Sequence, residues 1–239
     1  MQLQLAGLRP DVCRYDPRVR NGAFPADRLA RWSLVGFWVC SAVHLVLVAV
    51  ELEPYDSVTK ALLMPLLAAW AASAGGPALL VAALLFSWGG DVLLSIDGWF
   101  VPGMILFGAA HVCYIWCFVR RGALRRLRQR PVVPLLYGLG WVAGIAVLWS
   151  GLGAMRLPVT AYSLLLFASA TAASTRNRRT ALGGLLFLLS DTLIGVRLGG
   201  LPLLPLHGVV IMGTYVTAQY LLASGLLRDT EHALVAAPR

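Results

Sequence analysis

Asp91 and Asp191 are acidic residues set inside long apolar stretches, at 77–96 and 180–197. An ionisable side chain within a membrane span costs roughly 2.5–3.5 kcal/mol on insertion scales, so it is kept for a function or a buried partner. Asp91 lies about five residues before the end of its stretch and Asp191 about six before the end of its own. At about 1.5 Å per helical residue, both carboxyls sit roughly 8–9 Å below the same boundary. Two carboxyls at one level can face one pocket, where they can transfer protons to a ligand or along a relay. The alternative is that each merely accepts hydrogen bonds and locks the bundle. An otherwise almost uncharged core favours the site.

Other polar residues fall on the same stretches. Ser87 is one turn before Asp91, and Ser190 precedes Asp191. His111 and Tyr114 are spaced i, i+3, and Tyr215 and Gln219 are spaced i, i+4, so each pair shares a helix face. Lys60 opens an apolar stretch at the same boundary as the aspartates. These seven residues are the candidate ligand-binding groups. For His111 a satisfied core histidine is an equal alternative, and for Tyr215 and Gln219 the alternative is helix-to-helix hydrogen bonding. His44 reads as a packing residue and His207 as a boundary residue. A metal site from His44, Asp91, His111 and His207 has little support, because no two of them share a helix at ligand spacing; no metal and no cofactor is expected. Walker, GxSxG, HExxH and Rossmann patterns are missing from the sequence.

The elements that carry these residues follow from composition. Of 239 residues, 59% are hydrophobic and 13% charged, whereas a soluble domain is usually about 25% charged. Such a chain needs lipid as its solvent. Apolar runs fall near 32–50, 58–74, 77–96, 100–119, 132–150, 155–173, 180–197 and 203–227. The expected fold is therefore all-α, a polytopic bundle of eight transmembrane helices over 32–227. A flexible cytoplasmic tail is expected at 1–31, with no cleavable signal peptide, and a short cytoplasmic tail at 228–239. The second and third runs are separated only by Gly75-Gly76-Pro77, with Pro77 suited to a first helical turn.

Charge supports that count. With both termini cytoplasmic, inner segments carry 17 basic residues and outer segments three, Lys60, Arg156 and Arg197. The net charge of +9 is thus a topological signal rather than a nucleic-acid surface. Nineteen arginines against one lysine suggest a GC-rich genome and so a bacterial inner membrane. Cys40, Cys113 and Cys117 lie in apolar runs and read as small buried hydrophobes. Tyr137, Trp141 and Trp149 read as lipid-facing or interfacial, and Gly140 with Gly144 forms a GxxxG suited to close helix contact. The segments around Asp91 and Asp191 are similar and 100 residues apart. Each precedes a glycine-containing helix with aromatic and polar residues. Four spans separate the copies, so the sequence predicts two parallel four-helix halves.

The segments Phe86-Ser87-Trp88-Gly89-Gly90-Asp91, Phe107-Gly108-Ala109-Ala110-His111, Leu186-Phe187-Leu188-Leu189-Ser190-Asp191 and Thr214-Tyr215-Val216-Thr217-Ala218-Gln219 together resemble the motifs of the YhhN/TMEM86 family. Thr59-Lys60-Ala61-Leu62-Leu63-Met64-Pro65 resembles its Lys-Pro stretch, with Ala61 in place of the usual proline. The resemblance covers about 32–227. It implies an eight-span protein that hydrolyses the vinyl ether of a lysoplasmalogen to a fatty aldehyde and a glycerophospho-head group. Such chemistry needs an acid that holds its proton near neutral pH, a state that burial in an apolar pocket favours. It also needs a carboxylate to stabilise an oxocarbenium ion and deprotonate water, as in glycosidases. Asp91 and Asp191 would be that pair. The implied partners are a lysophospholipid, entering sideways from the leaflet with its head near Lys60, and membrane lipids. Two other readings stand beside it: a small-molecule or lipid transporter with the aspartates as proton relay, and a metal-dependent lipid amidase or esterase.

Overall fold

Each of the eight apolar runs contains one helix in the computed structural model, which describes residues 25–235. The helices are α1 (Pro25–Ala49), α2 (Tyr55–Ser73), α3 (Ala78–Leu94), α4 (Phe100–Arg120), α5 (Ala123–Gln129), α6 (Val132–Leu148), α7 (Arg156–Ala173), α8 (Arg178–Leu198) and α9 (His207–Val235). A 3-10 turn at Gly153–Met155 precedes α7, and no strand occurs among the described residues. The expected tails lie largely outside those residues, at 1–24 and 236–239. α1 begins at Pro25, earlier than Trp32, and α9 runs on to Val235.

The chain is a multi-pass helical membrane protein. By length and apolarity alone, α1, α4, α8 and α9 can each cross a membrane. α5 and α6, which meet at 94°, make a fifth if counted together. α3 is apolar but only 17 residues long. α2 and α7 are diluted by polar residues, including Thr59 and Lys60 in one and Thr160, Ser163 and Ser169 in the other.

Local chemistry sets the breaks. Gly75 adopts φ +75, which favours a residue without Cβ, and Pro77 follows in an extended conformation to start α3. α2 and α3 are therefore two helices, as the turn predicts. Asn177 caps α8: its side chain accepts from the Thr180 amide at 3.0 Å, and the Thr180 hydroxyl accepts from the Asn177 amide at 3.2 Å.

The core is formed by Phe37, Leu63, Leu80, Phe118, Leu222 and Leu226, all fully buried. Large apolar residues such as Leu136, Val147 and Leu157 are exposed, as expected where lipid is the solvent. α6 is the least covered helix, with Leu148 its single buried residue. The most extensive helix pairs are α3 with α4 and α8 with α9. Small residues permit both. A Cβ at Gly90 would stand 2.5 Å from the Phe107 ring, and one at Gly183 would stand 2.9 Å from the Leu222 amide. Neither site has room for a methyl group, so glycine lets the backbones approach.

Candidate active site

The aspartate-bearing ends of α3 and α8 border a cavity of about 220 Å³. It lies toward the end of the bundle where α2, α4, α7 and α9 begin, away from the arginines at 120–130 and 176–179. Its wall is mostly apolar, with Leu94, Phe107, Leu148 and Leu166 among the lining residues. Lys60, Asp91, Tyr162, Ser190, Asp191 and Tyr215 also line it. Two residues 100 positions apart in sequence thus share one chamber.

The two carboxyls are held differently. Asp91 is buried, and both of its oxygens have partners: the Tyr215 hydroxyl donates to Oδ2 at 2.7 Å, and the Lys60 ammonium lies 3.7 Å from Oδ1. α2 delivers Lys60 to that place partly through Trp88, whose indole N–H donates to the Ala61 carbonyl at 2.8 Å. On Asp191 the Tyr162 hydroxyl donates to Oδ2. The Tyr162 oxygen in turn lies 3.3 Å from His111 Nε2. His111 Nδ1 is buried without a partner. The Nε2–H tautomer therefore satisfies the ring best, donating to Tyr162 while Tyr162 donates to Asp191.

Four expected ligand-binding residues do not line the cavity. Ser87, His111, Tyr114 and Gln219 are buried in a layer behind it. There the Tyr114 hydroxyl donates to Gln219 Oε1 at 2.6 Å, and Gln219 Nε2 donates to Ser87 Oγ at 2.9 Å and to the Tyr215 hydroxyl at 3.4 Å. Their helical spacing does place each pair on one face. His111, Tyr114 and Gln219 meet neighbouring helices while Tyr215 reaches the chamber; a side-chain amide with partners on α3, α4 and α9 is costly to leave facing an apolar chamber. Ser190 lines the cavity but donates to the Ile211 carbonyl at 3.1 Å.

Because that layer is fully buried, Tyr114→Phe should strand the Gln219 carbonyl oxygen and cost about 1–3 kcal/mol. The expected readout is a lower thermal unfolding midpoint in detergent. An unchanged midpoint would show that the network carries no stability.

The remaining histidines are not gathered at the site. His44 Nδ1 lies 2.9 Å from the Thr59 hydroxyl, and His207 Nε2 donates to the Leu193 carbonyl at 3.0 Å. Among the described residues no group of three or more His, Cys, Asp or Glu is placed to share a metal ion. Trp141 differs from its expected lipid-facing place: it lines the cavity and donates to Ser163 Oγ at 3.0 Å. Tyr162, which touches Asp191, is the residue that sequence reasoning missed. It is a lone tyrosine in an apolar run, and nothing in its spacing distinguishes it from an interfacial aromatic.

Fold and chamber together define a class: helical membrane proteins with paired acidic groups in an apolar intramembrane cavity. The chain belongs to the YhhN family, whose pattern matches residues 55–226. It is 33% identical over 214 residues to the lysoplasmalogenase TMEM86B of Sus scrofa, covering 85% of this chain and 91% of that protein. It is 34% identical over 157 residues to the Homo sapiens lysoplasmalogenase TMEM86B, covering 66% and 67%. A lysoplasmalogenase of Mycobacterium bovis is 32% identical over 246 residues, covering 91% of this chain and 88% of the relative. No solved structure matches the chain.

Proposed function

We propose that this protein is a membrane-embedded hydrolase that cleaves the vinyl ether bond of a lysoplasmalogen by acid–base catalysis at Asp91 and Asp191. The observation that carries the mechanism is the unequal setting of two carboxyls on one apolar cavity. Its substrate class rests on the names of relatives that align over most of the chain.

The setting supports one division of roles. Asp91 has a hydroxyl donor on one oxygen and an ammonium beside the other, so it serves as the carboxylate. Asp191 has a neutral donor on Oδ2, and its Oδ1 carries the catalytic proton. Asp191 protonates the β-carbon of the vinyl ether, and the C=C electrons leave an oxocarbenium ion stabilised by the Asp91 charge. Asp91 accepts a proton from water as its oxygen adds to that cation. The hemiacetal then collapses to aldehyde and glycerol hydroxyl. The proton held by Asp91 returns to Asp191 through the hemiacetal oxygens, and one water is consumed overall.

The test is mass spectrometry of purified protein incubated with a panel of ether and ester lysolipids. Fatty aldehyde from the vinyl ether lysolipid is the expected product. Proton-coupled uptake with no product from any member would favour transport instead.

The same proposal extends to topology: eight spans in two parallel four-helix halves, in a bacterial inner membrane, with both ends cytoplasmic. The 17-to-3 charge distribution and the matching prominence of α3/α4 and α8/α9 support it. Reporter fusions after Arg130 and after Arg239 should both report cytoplasm. A periplasmic signal at either one contradicts the arrangement.

A further inference from the structure

Gly140 and Gly144 have the spacing of a helix-packing motif, yet α6 does not use them that way. A Cβ at Gly144 would meet nothing within 4 Å, and one at Gly140 would meet only the Phe167 ring edge at 3.5 Å. Both glycines instead line the cavity that holds Asp91 and Asp191. They keep that wall open rather than bringing two helices together.

α6 and α8 touch near their C-terminal ends. There a Cβ at Gly195 or at Gly199 would stand 3.1 Å from a Leu148 methyl, and one at Gly151 would stand 2.0 Å from the Gly199 carbonyl oxygen. Away from that closure the helices make little contact. Gly140 on α6 and Thr192 on α8 both line the cavity and are both exposed. The chamber is therefore shut where Leu148 meets α8 and open deeper in the bilayer, between Gly140 and Thr192.

Size decides what passes through. A cavity of about 150 Å³ takes up one benzene ring. The chamber, about 220 Å³, holds the reacting vinyl ether and the first part of a hydrocarbon chain, and a long chain must continue outside. We infer that the opening between α6 and α8 is the hydrocarbon-chain subsite: the substrate's chain leaves the chamber over Gly144 and Gly140 into the bilayer core. The head group stays on the Lys60 side. This rests on the hydrolase function proposed above and adds the path of the chain. An apolar chain lying in lipid costs nothing to leave outside the protein, so the enzyme needs to enclose only the bond it cleaves.

The experiment compares Gly144→Leu with Gly138→Leu, using a long-chain lysoplasmalogen and an analogue with a butenyl chain that ends within the chamber. Gly138 is on the same helix, an added Cβ there also meets nothing within 4 Å, and it does not line the chamber. For Gly144→Leu, the ratio of kcat/KM on the long chain to kcat/KM on the butenyl analogue should fall at least tenfold. Gly138→Leu should resemble wild type on both. Near-wild-type long-chain turnover by Gly144→Leu, or equal losses on both substrates, would overturn the subsite. A photoreactive group at the far end of the long chain gives a second readout in the wild-type protein. Crosslinks on α6 or α8 are expected, and crosslinks confined to α1 or α2 would place the chain elsewhere. Failure of wild type to cleave either substrate would instead count against the hydrolase function itself.

Discussion

Asp191→Asn and Asp91→Asn should each lower vinyl ether hydrolysis by at least about 10²-fold, the usual scale for loss of a general acid or base. Both proteins should remain folded and membrane-inserted. Replacing a carboxyl by an amide keeps the shape; at 191 it exchanges one neutral group for another, and at 91 it removes a charge that is costly to bury. The substitutions should differ in one respect. At 191 the amide still accepts from Tyr162 through its carbonyl oxygen, but it has no acidic proton to give the β-carbon. At 91 the amide faces the Lys60 ammonium without a counter-charge. Activity of the wild type should follow a bell-shaped pH profile, falling on the acid side as the base takes a proton and on the alkaline side as the acid loses its own. Near-wild-type aldehyde release from both variants would make the aspartates structural. The purified variants, matched for folding by thermal melt, decide it.

Lys60→Met should inactivate the protein and destabilise it together. It leaves Asp91 buried with its charge uncompensated, and breaking a fully buried pair typically costs about 3–5 kcal/mol. Lys60 is 20% exposed along its side chain, so a loss toward or below the low end, about 2–3 kcal/mol, is expected. The double substitution Lys60→Met with Asp91→Asn removes both members and should recover most of the stability without recovering activity. That pattern separates the two jobs proposed for Lys60: holding the fold around Asp91, and keeping Asp91 as the carboxylate. Recovery of activity in the double variant would contradict the assignment of Asp91 as base. A double variant no more stable than Lys60→Met would show that the ion pair contributes nothing to the fold.

Much of the candidate site could be read from the sequence because charge in an apolar run is conspicuous. Asp91, Asp191 and Lys60 stand out on that ground, and all three reach one chamber. Tyr215 and Gln219 were legible as a helix face, and the structure divides them: the hydroxyl reaches the chamber and the amide lies behind it. Tyr162 was not legible. Its importance comes from α7 packing beside α8 and α4, a tertiary fact without a local signature. Trp141 and the glycines of α6 misled for a related reason. An aromatic or a GxxxG has the same pattern whether it meets lipid, a helix or a cavity, and only the position of α6 at the edge of the bundle decides which. The short helix α5 was hidden in an arginine-rich segment that reads as a loop. The apolar runs did locate the helices. Their lengths could not fix how many cross, because α2, α3 and α7 are short or polar for a span.

The central claim, proton delivery to carbon by a carboxyl of the chamber, is tested most directly by running the reaction in D2O and trapping the aldehyde as it forms. Protonation of the β-carbon followed by capture of water should place one deuterium on the carbon next to the aldehyde carbonyl. Run in heavy-oxygen water, the reaction should leave the oxygen of the released glycerol head group unlabelled, since the bond broken is the one to the vinyl carbon. Aldehyde carrying no deuterium at that carbon, or a head group that has gained heavy oxygen, would contradict it.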